Sequence, residues 1–125
     1  MPNHFHILLY FNEENKLSDT MRDLKKKCAF EIRKHLEANK SPLFNWIRIA
    51  NEKQVFKFWD DRFDDVWIGS KELLEIKLEY IHQSPLQSHW NLSEYPEDYS
   101  FCSTAFYFQN ENNIIKIIDY RDIFD

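Results

Sequence analysis

The chain has 125 residues, of which 43% are hydrophobic and 17% aromatic, and its formal net charge is −5. This length and apolar content fit one small domain with a hydrophobic core and exclude global disorder. A single glycine excludes glycine-rich phosphate loops, and the acidic balance counts against a sequence-blind binder of duplex DNA.

The first predicted element is a strand over residues 4–11, whose side chains alternate between two faces. His4 and His6 share one face. The opposite face, which we expect in the core, consists of Phe5, Ile7, Leu9 and Phe11.

Helical spacing of apolar residues predicts a helix over about 18–39, with Ser18 or Asp19 as its cap. Residues 41–50 fit either a shorter helix or a strand. Strands or extended segments are expected at 55–59, 63–68 and 114–118. Between the last two, a second long helix begins at the cap Ser70 and ends near residue 84, before Pro85.

The spacing of His4 and His6 places two imidazoles on one face of a strand, where they can hold one metal ion. The same spacing is also typical of surface histidines that bind no metal. Taken alone, the pair leaves both interpretations open.

Tyr80 lies on the second long helix, whose body-facing side chains are Leu74, Leu78 and Ile81. Its ring can pack at the edge of this apolar face while its hydroxyl reaches outward. An ordinary half-buried tyrosine and a catalytic nucleophile are both compatible with this position.

Two segments together resemble the REP-associated tyrosine transposases, which are relatives of the single-tyrosine HUH transposases of small insertion sequences. These segments are Met1-Pro2-Asn3-His4-Phe5-His6-Ile7-Leu8-Leu9 and Lys77-Leu78-Glu79-Tyr80-Ile81-His82-Gln83-Ser84-Pro85. Similarity continues at residues 21–25, 58–65 and 96–105, so that the resemblance covers nearly the whole chain.

The resemblance implies an α+β fold with a small antiparallel sheet and packed helices, a ferredoxin/RRM-like HUH core. It implies one domain over 1–125, with a catalytic core over 1–90 and an aromatic-rich extension over 91–125. The implied activity is that of a metal-dependent single-strand DNA endonuclease and strand transferase. Tyr80 is then the nucleophile, and His4 and His6 hold Mg²⁺ or Mn²⁺. The substrate is single-stranded or hairpin DNA, which is left attached through a 5′-phosphotyrosine.

Two departures from this family stand out. Relatives usually place an amide residue four positions after the tyrosine as a further metal ligand, and this chain has Ser84 there, a shorter and poorer ligand. Gln83 or a water could substitute. Relatives also have a first strand and helix before the Met-Pro-Asn-His motif, which this chain lacks. A truncated copy, an internal start, and a fragment completed by a partner are the alternatives for this second departure.

Several basic side chains are candidates for contacts with the DNA backbone. They are Arg22, Lys25, Lys26, Arg62 and Lys77. A solvated helix face is the other explanation for most of them. Trp59, Trp67 and Trp90 can stack on unpaired bases or pack in a core.

The main alternative to the enzyme is a catalytically impaired family member that binds DNA without cleaving it. No apolar run approaches the ~20 residues that a membrane span requires, and no signal peptide is visible. We therefore expect a cytoplasmic, nucleoid-associated protein without a membrane partner. A homodimer remains an open alternative to a monomer.

Overall fold

The computed structural model describes residues 1–11, 17–48, 56–60, 63–109 and 114–124. The chain separates into two compact units. The first unit combines the N-terminal segment 1–9 with residues 66–125, and the second consists of residues 10–65. The division into a catalytic core over 1–90 and an extension stays a prediction.

The predicted α+β fold with an antiparallel sheet is wrong. Four α-helices and three short 3-10 turns are present in the described ranges, which contain no strand and no sheet. Residues 4–11 are irregular rather than a strand, because no neighbouring segment in those ranges supplies the backbone hydrogen bonds of a ladder. The strand predicted at 114–118 is absent for the same reason.

The apolar face predicted for residues 5–11 is not a core face. Phe5, Ile7 and Leu9 are exposed, and Phe11 is half-buried. Alternating side chains bury one face only where a sheet or helix layer covers that face. The alternation is therefore real in the sequence but is not used for a sheet in this structure.

In the second unit, α1 spans Leu17–Ala38 and confirms the first predicted helix. Ser18 and Asp19, predicted as caps, lie inside its first turn. Met21 is buried, and the other apolar residues at helical spacing are half-buried, namely Leu17, Leu24, Cys28, Ile32 and Leu36. Spacing at 3.6 residues per turn thus identified the inward face correctly.

A short α2 spans Leu43–Ile47, so residues 43–47 form the helix rather than the strand. Arg48 and Phe56 form an isolated antiparallel bridge, and Lys57 donates its backbone N–H to the Ile47 carbonyl at 2.8 Å. One bridge replaces the strand predicted at 55–59, as far as that range is described.

In the first unit, α3 spans Lys71–Gln83 and confirms the second long helix. Ser70 caps it as predicted, because its side chain accepts a hydrogen bond from the Leu73 N–H. Leu74 and Leu78 are the buried apolar side chains of α3. A 3-10 turn, Ser84–Leu86, follows directly, with buried Pro85 ending the regular helix.

The C-terminal part of the first unit packs against one side of α3. The helix α4, Thr104–Gln109, brings the Tyr107 ring to 5.9 Å from the His82 ring. Tyr120 donates its hydroxyl to Glu75 Oε1 at 3.1 Å. These contacts fix α3 from the side away from Tyr80, which lies on the opposite helix face.

Candidate active site

The rings of His4, His6 and Tyr80, which come from the two motifs of the family resemblance, lie side by side in the first unit. The centroids of the His4 and His6 rings are 5.1 Å apart, with their planes at 81°. The centroid of the Tyr80 ring is 5.5 Å from that of His6, at 74°. The structure therefore brings together the histidine pair and the tyrosine, although 74 residues separate His6 from Tyr80.

The orientation of the His4 ring is set by its neighbour Asn3. His4 Nδ1 lies 2.7 Å from Asn3 Oδ1. Because an amide oxygen can only accept a hydrogen bond, Nδ1 carries the proton and donates it. The lone pair of the neutral ring is then on Nε2, which is the atom left to ligate a metal.

The environment of His6 favours its uncharged form. Partial burial lowers the pKa of the His6 imidazole, and the neighbouring His4 and the N-terminal ammonium lower it further. A neutral imidazole is the form that ligates metal ions. The physical chemistry of this ring thus suits a ligand better than a cationic DNA contact.

Tyr80 combines a fixed backbone with an accessible side chain. Its carbonyl accepts a backbone N–H from Ser84 at the end of α3. Its side chain is 53% exposed. The ring contacts that of His6, and about half of the residue's surface stays accessible to solvent.

Ser84 lies on the same helix face as Tyr80, but its hydroxyl has another partner. The residue is only 2% exposed, and Ser84 Oγ donates to the Tyr80 carbonyl at 2.7 Å. Gln83, the alternative ligand, donates its side-chain amide to Glu79 Oε1 at 2.8 Å. The hydroxyl of Ser84 thus helps to end the helix.

We expect Ser84→Ala to lower the free energy of unfolding by about 1 kcal/mol, because one hydrogen bond is lost while the Tyr80 carbonyl keeps its backbone donor. Mn²⁺ affinity should change less than about twofold, since this hydroxyl is committed to the backbone. Thermal denaturation and Mn²⁺ titration measure the two effects, with exposed Ser88→Ala as the matched control. A tenfold loss of affinity would identify Ser84 as a ligand.

The described candidates for DNA contact are divided between the two units, with Arg22, Lys25 and Lys26 in the second and Lys77 in the first. Arg22 pairs with Asp19 and Asp23 on the exposed side of α1. Lys25 donates to the Asp60 carbonyl at 2.9 Å and lies over the Trp59 ring.

Lys26 is exposed on α1, and Lys77 is half-buried on α3, one turn before Tyr80. Arg62 lies outside the described residues. Of these basic side chains, Lys77 alone belongs to the same unit as the three rings. Exposed ion pairs such as those of Arg22 are weak and exchange readily with phosphate groups.

A family model described as "Transposase IS200 like" matches residues 1–84. The chain belongs to this transposase family. No curated protein matches the chain. No solved structure matches it. The matched part of this IS200-like transposase begins before the histidine pair and ends at Ser84, so it includes all three rings.

The described residues contain few protein groups that could ligate a metal ion. Among them, no group of three or more His, Cys, Asp or Glu side chains could hold one. The imidazoles of His4 and His6 are the candidates beside Tyr80, and two nitrogen atoms alone would leave most coordination positions to oxygen ligands such as water. None of the helices described here is long and apolar enough to span a membrane.

The sequence did not predict that Asn3 and Trp90 contact the His4 ring. Asn3 precedes His4 within the Met-Pro-Asn-His motif, and an amide next to a candidate ligand is the signal that could have identified it. Trp90 has its ring centroid 5.5 Å from that of His4. No sequence signal links these two rings.

His82 has a structural position, although it lies only two residues after Tyr80. It is buried, and its Nε2 lies 2.9 Å from Ser103 Oγ. Burial lowers the pKa of His82, against an opposing effect of Glu79. This histidine joins α3 to the segment before α4, and it does not face His4 and His6.

Proposed function

We propose that this transposase nicks and rejoins single-stranded DNA through Tyr80, with Mg²⁺ or Mn²⁺ held by His4 and His6. The observation that carries the proposal is the line of ring contacts from His4 through His6 to Tyr80. A nucleophile beside a pair of imidazole ligands suits the cleavage of a phosphodiester better than base recognition alone.

The donor set fits a divalent ion in its chemistry. The Nδ1–H of His4 donates to Asn3, which leaves Nε2 as the nitrogen of this ring that could bind an ion, and the lowered pKa of His6 favours the neutral form of the second ring. When bound, the ion would polarise the scissile phosphate and offset its charge. Nitrogen ligands favour Mn²⁺ over Mg²⁺, so Mn²⁺ is the ion to use first.

The side chain of Tyr80 supplies the covalent step. Its hydroxyl oxygen attacks the phosphorus and loses its proton, while the bond from phosphorus to the 3′ oxygen breaks. The released strand ends in a 3′-hydroxyl after taking up a proton, and the downstream strand stays on Tyr80 as a 5′-phosphotyrosine. One phosphodiester is exchanged for another, so the reverse attack by a 3′-hydroxyl rejoins DNA without a nucleotide cofactor.

The proposal also covers the class of substrate and the number of chains that form one site. Hairpin DNA with single-stranded flanks is proposed as substrate, on the resemblance to the REP-associated branch. Because His6 and Tyr80 of one chain are in contact, we propose that a single chain forms a complete site without residues from a second copy.

Covalent adduct formation tests the proposal. The purified chain is incubated with Mn²⁺ and a pool of DNA hairpins with randomised single-stranded flanks, labelled at either the 3′ or the 5′ end. We expect a denaturation-resistant adduct with the 3′ label only, because the 5′ fragment is released. Tyr80→Phe should give no adduct and still shift the DNA in a native gel.

Tyr95→Phe is the matched control, since Tyr95 is 55% exposed, close to the value for Tyr80. It should give the wild-type amount of adduct. An adduct that persists in Tyr80→Phe would exclude this residue as nucleophile. An adduct carrying the 5′ label would contradict the polarity.

A second candidate is a family member that binds hairpin DNA without cleaving it. The buried Ser84 hydroxyl favours this candidate, because it donates to a backbone carbonyl at the place where relatives have a ligating amide. A gel shift by the wild type, with no adduct for either label in Mn²⁺ or Mg²⁺, would support this candidate over the enzyme.

A further inference from the structure

The Trp90 ring extends the row of rings at the candidate site by one member. Its centroid lies 5.5 Å from that of His4, with the planes at 54°. The ring of the adjacent residue His89 has its centroid 5.0 Å from that of Trp90. Trp90 is half-buried, so the indole is in contact with other residues rather than free in solvent.

The backbone around Trp90 is held by the turn that follows α3. Trp90 donates its N–H to the Gln87 carbonyl at 2.8 Å. Leu92 donates to the carbonyl of the buried Pro85 at 2.9 Å. Asn91 has φ of 45°, a left-handed conformation that asparagine adopts more readily than most residues. The indole is thus tied to the same helix end that carries Tyr80.

We propose that Trp90 is a positioning residue that fixes the His4 imidazole for metal binding. The proposal rests on the proposed function of the histidine pair. His4 then has three contacts, with the Asn3 amide at Nδ1, with the His6 ring and with the Trp90 ring. Each contact reduces the number of orientations open to the His4 ring.

The physical reason is the cost of ordering a ligand. A free imidazole populates several rotamers, and binding must select one of them. Groups around a ligating histidine usually fix its orientation, and their loss weakens metal binding by about 10–100-fold. The polar fixing group here is Asn3, and Trp90 adds an apolar one that cannot compete for the metal.

This role lies outside what the family match covers, because that match ends at residue 84. It also differs from stacking on an unpaired base. An indole used for stacking needs an open face, whereas this one is half-buried and already contacts the rings of His4 and His89. Base stacking is therefore treated as an outcome of the test.

The test measures Mn²⁺ binding directly, by the electron paramagnetic resonance signal of the free ion, without DNA. We expect Trp90→Leu to raise the Mn²⁺ dissociation constant about tenfold. Trp90→Phe, which keeps a ring, should raise it about threefold. Trp67→Leu is the matched control, because Trp67 is 89% exposed, and it should bind Mn²⁺ as the wild type does.

Adduct formation gives the second readout. In Trp90→Leu the Mn²⁺ concentration for half-maximal adduct should rise by the same factor, with full yield restored at saturating Mn²⁺. A purely structural role would lower the yield at every Mn²⁺ concentration and would overturn the proposal. Unchanged Mn²⁺ affinity with weaker binding of single-stranded DNA would assign Trp90 to base stacking and would also overturn it.

The failure of this inference is distinguishable from the failure of the proposed function. If the wild type itself binds no Mn²⁺, the proposed function is wrong, and His4 is not a metal ligand that Trp90 could position. If the wild type binds Mn²⁺ and Trp90→Leu binds it equally well, only the positioning role is wrong. Should Trp90→Leu not fold, as judged by circular dichroism, the expected threefold effect of Trp90→Phe decides.

Discussion

Replacing His6 by alanine is expected to lower the yield of covalent DNA adduct at least about a hundredfold at subsaturating Mn²⁺. His6 lies between the other two rings, at 5.1 Å from His4 and 5.5 Å from Tyr80. The substitution therefore removes one of the two proposed imidazole ligands and also the ring that contacts Tyr80, the proposed nucleophile. A quantified denaturing gel of the 3′-labelled adduct measures the effect.

The control for His6→Ala separates chemistry from folding. His35→Ala removes an exposed histidine near the end of α1, outside the unit that contains the site, and should leave the yield unchanged. His6→Ala should also keep the wild-type melting temperature and DNA gel shift, because His6 is exposed. A yield within about threefold of wild type would remove His6 from the proposed site.

Leu78→Ala is expected to have the largest effect on stability, about 3 kcal/mol of unfolding free energy. Leu78 is only 9% exposed and lies on α3, two residues before Tyr80. Its removal leaves a cavity in a small core, in which Leu74 is the neighbouring buried leucine. Because small domains have only about 5–15 kcal/mol of stability, the loss should be visible as a clear drop in melting temperature.

Ile76→Ala on the same helix is the matched control for Leu78→Ala. Ile76 is 64% exposed, so its truncation should change the unfolding free energy by less than about 0.5 kcal/mol. Chemical denaturation of both variants gives the comparison. Equal effects would mean that α3 buries a different face from the one assigned here.

The helices could be predicted because their signals are local. α1 and α3 each repeat apolar residues at helical spacing, and Ser70 and Pro85 mark the two ends of α3 by known capping and breaking effects. The strands could not be predicted equally well. The alternation of Phe5, Ile7 and Leu9 describes one chain segment, whereas a sheet depends on a second segment that pairs with it.

How much of the site could be predicted from the sequence differs among its residues. The pairing of His6 with Tyr80 came from the resemblance of two motifs, and no spacing rule would have brought them together. Trp90 shows the limit of the sequence, since stacking on a base and packing both suit a tryptophan. Only the position of Trp90 beside His4 distinguishes these two uses of the indole. For Ser84, the sequence identified the position, but the direction of its hydroxyl depends on helix geometry.

The first unit is discontinuous along the chain, because residues 10–65 form a unit of their own between its two parts. During synthesis, the ribosome therefore delivers His4 and His6 long before Tyr80, and Trp90 later still. Residues 10–65 can fold before α3 has been synthesised, since domains generally fold as units during translation. A nascent chain that stalls before α3 would carry the proposed metal ligands without the proposed nucleophile, so under the proposed function an incomplete chain could not form the covalent adduct.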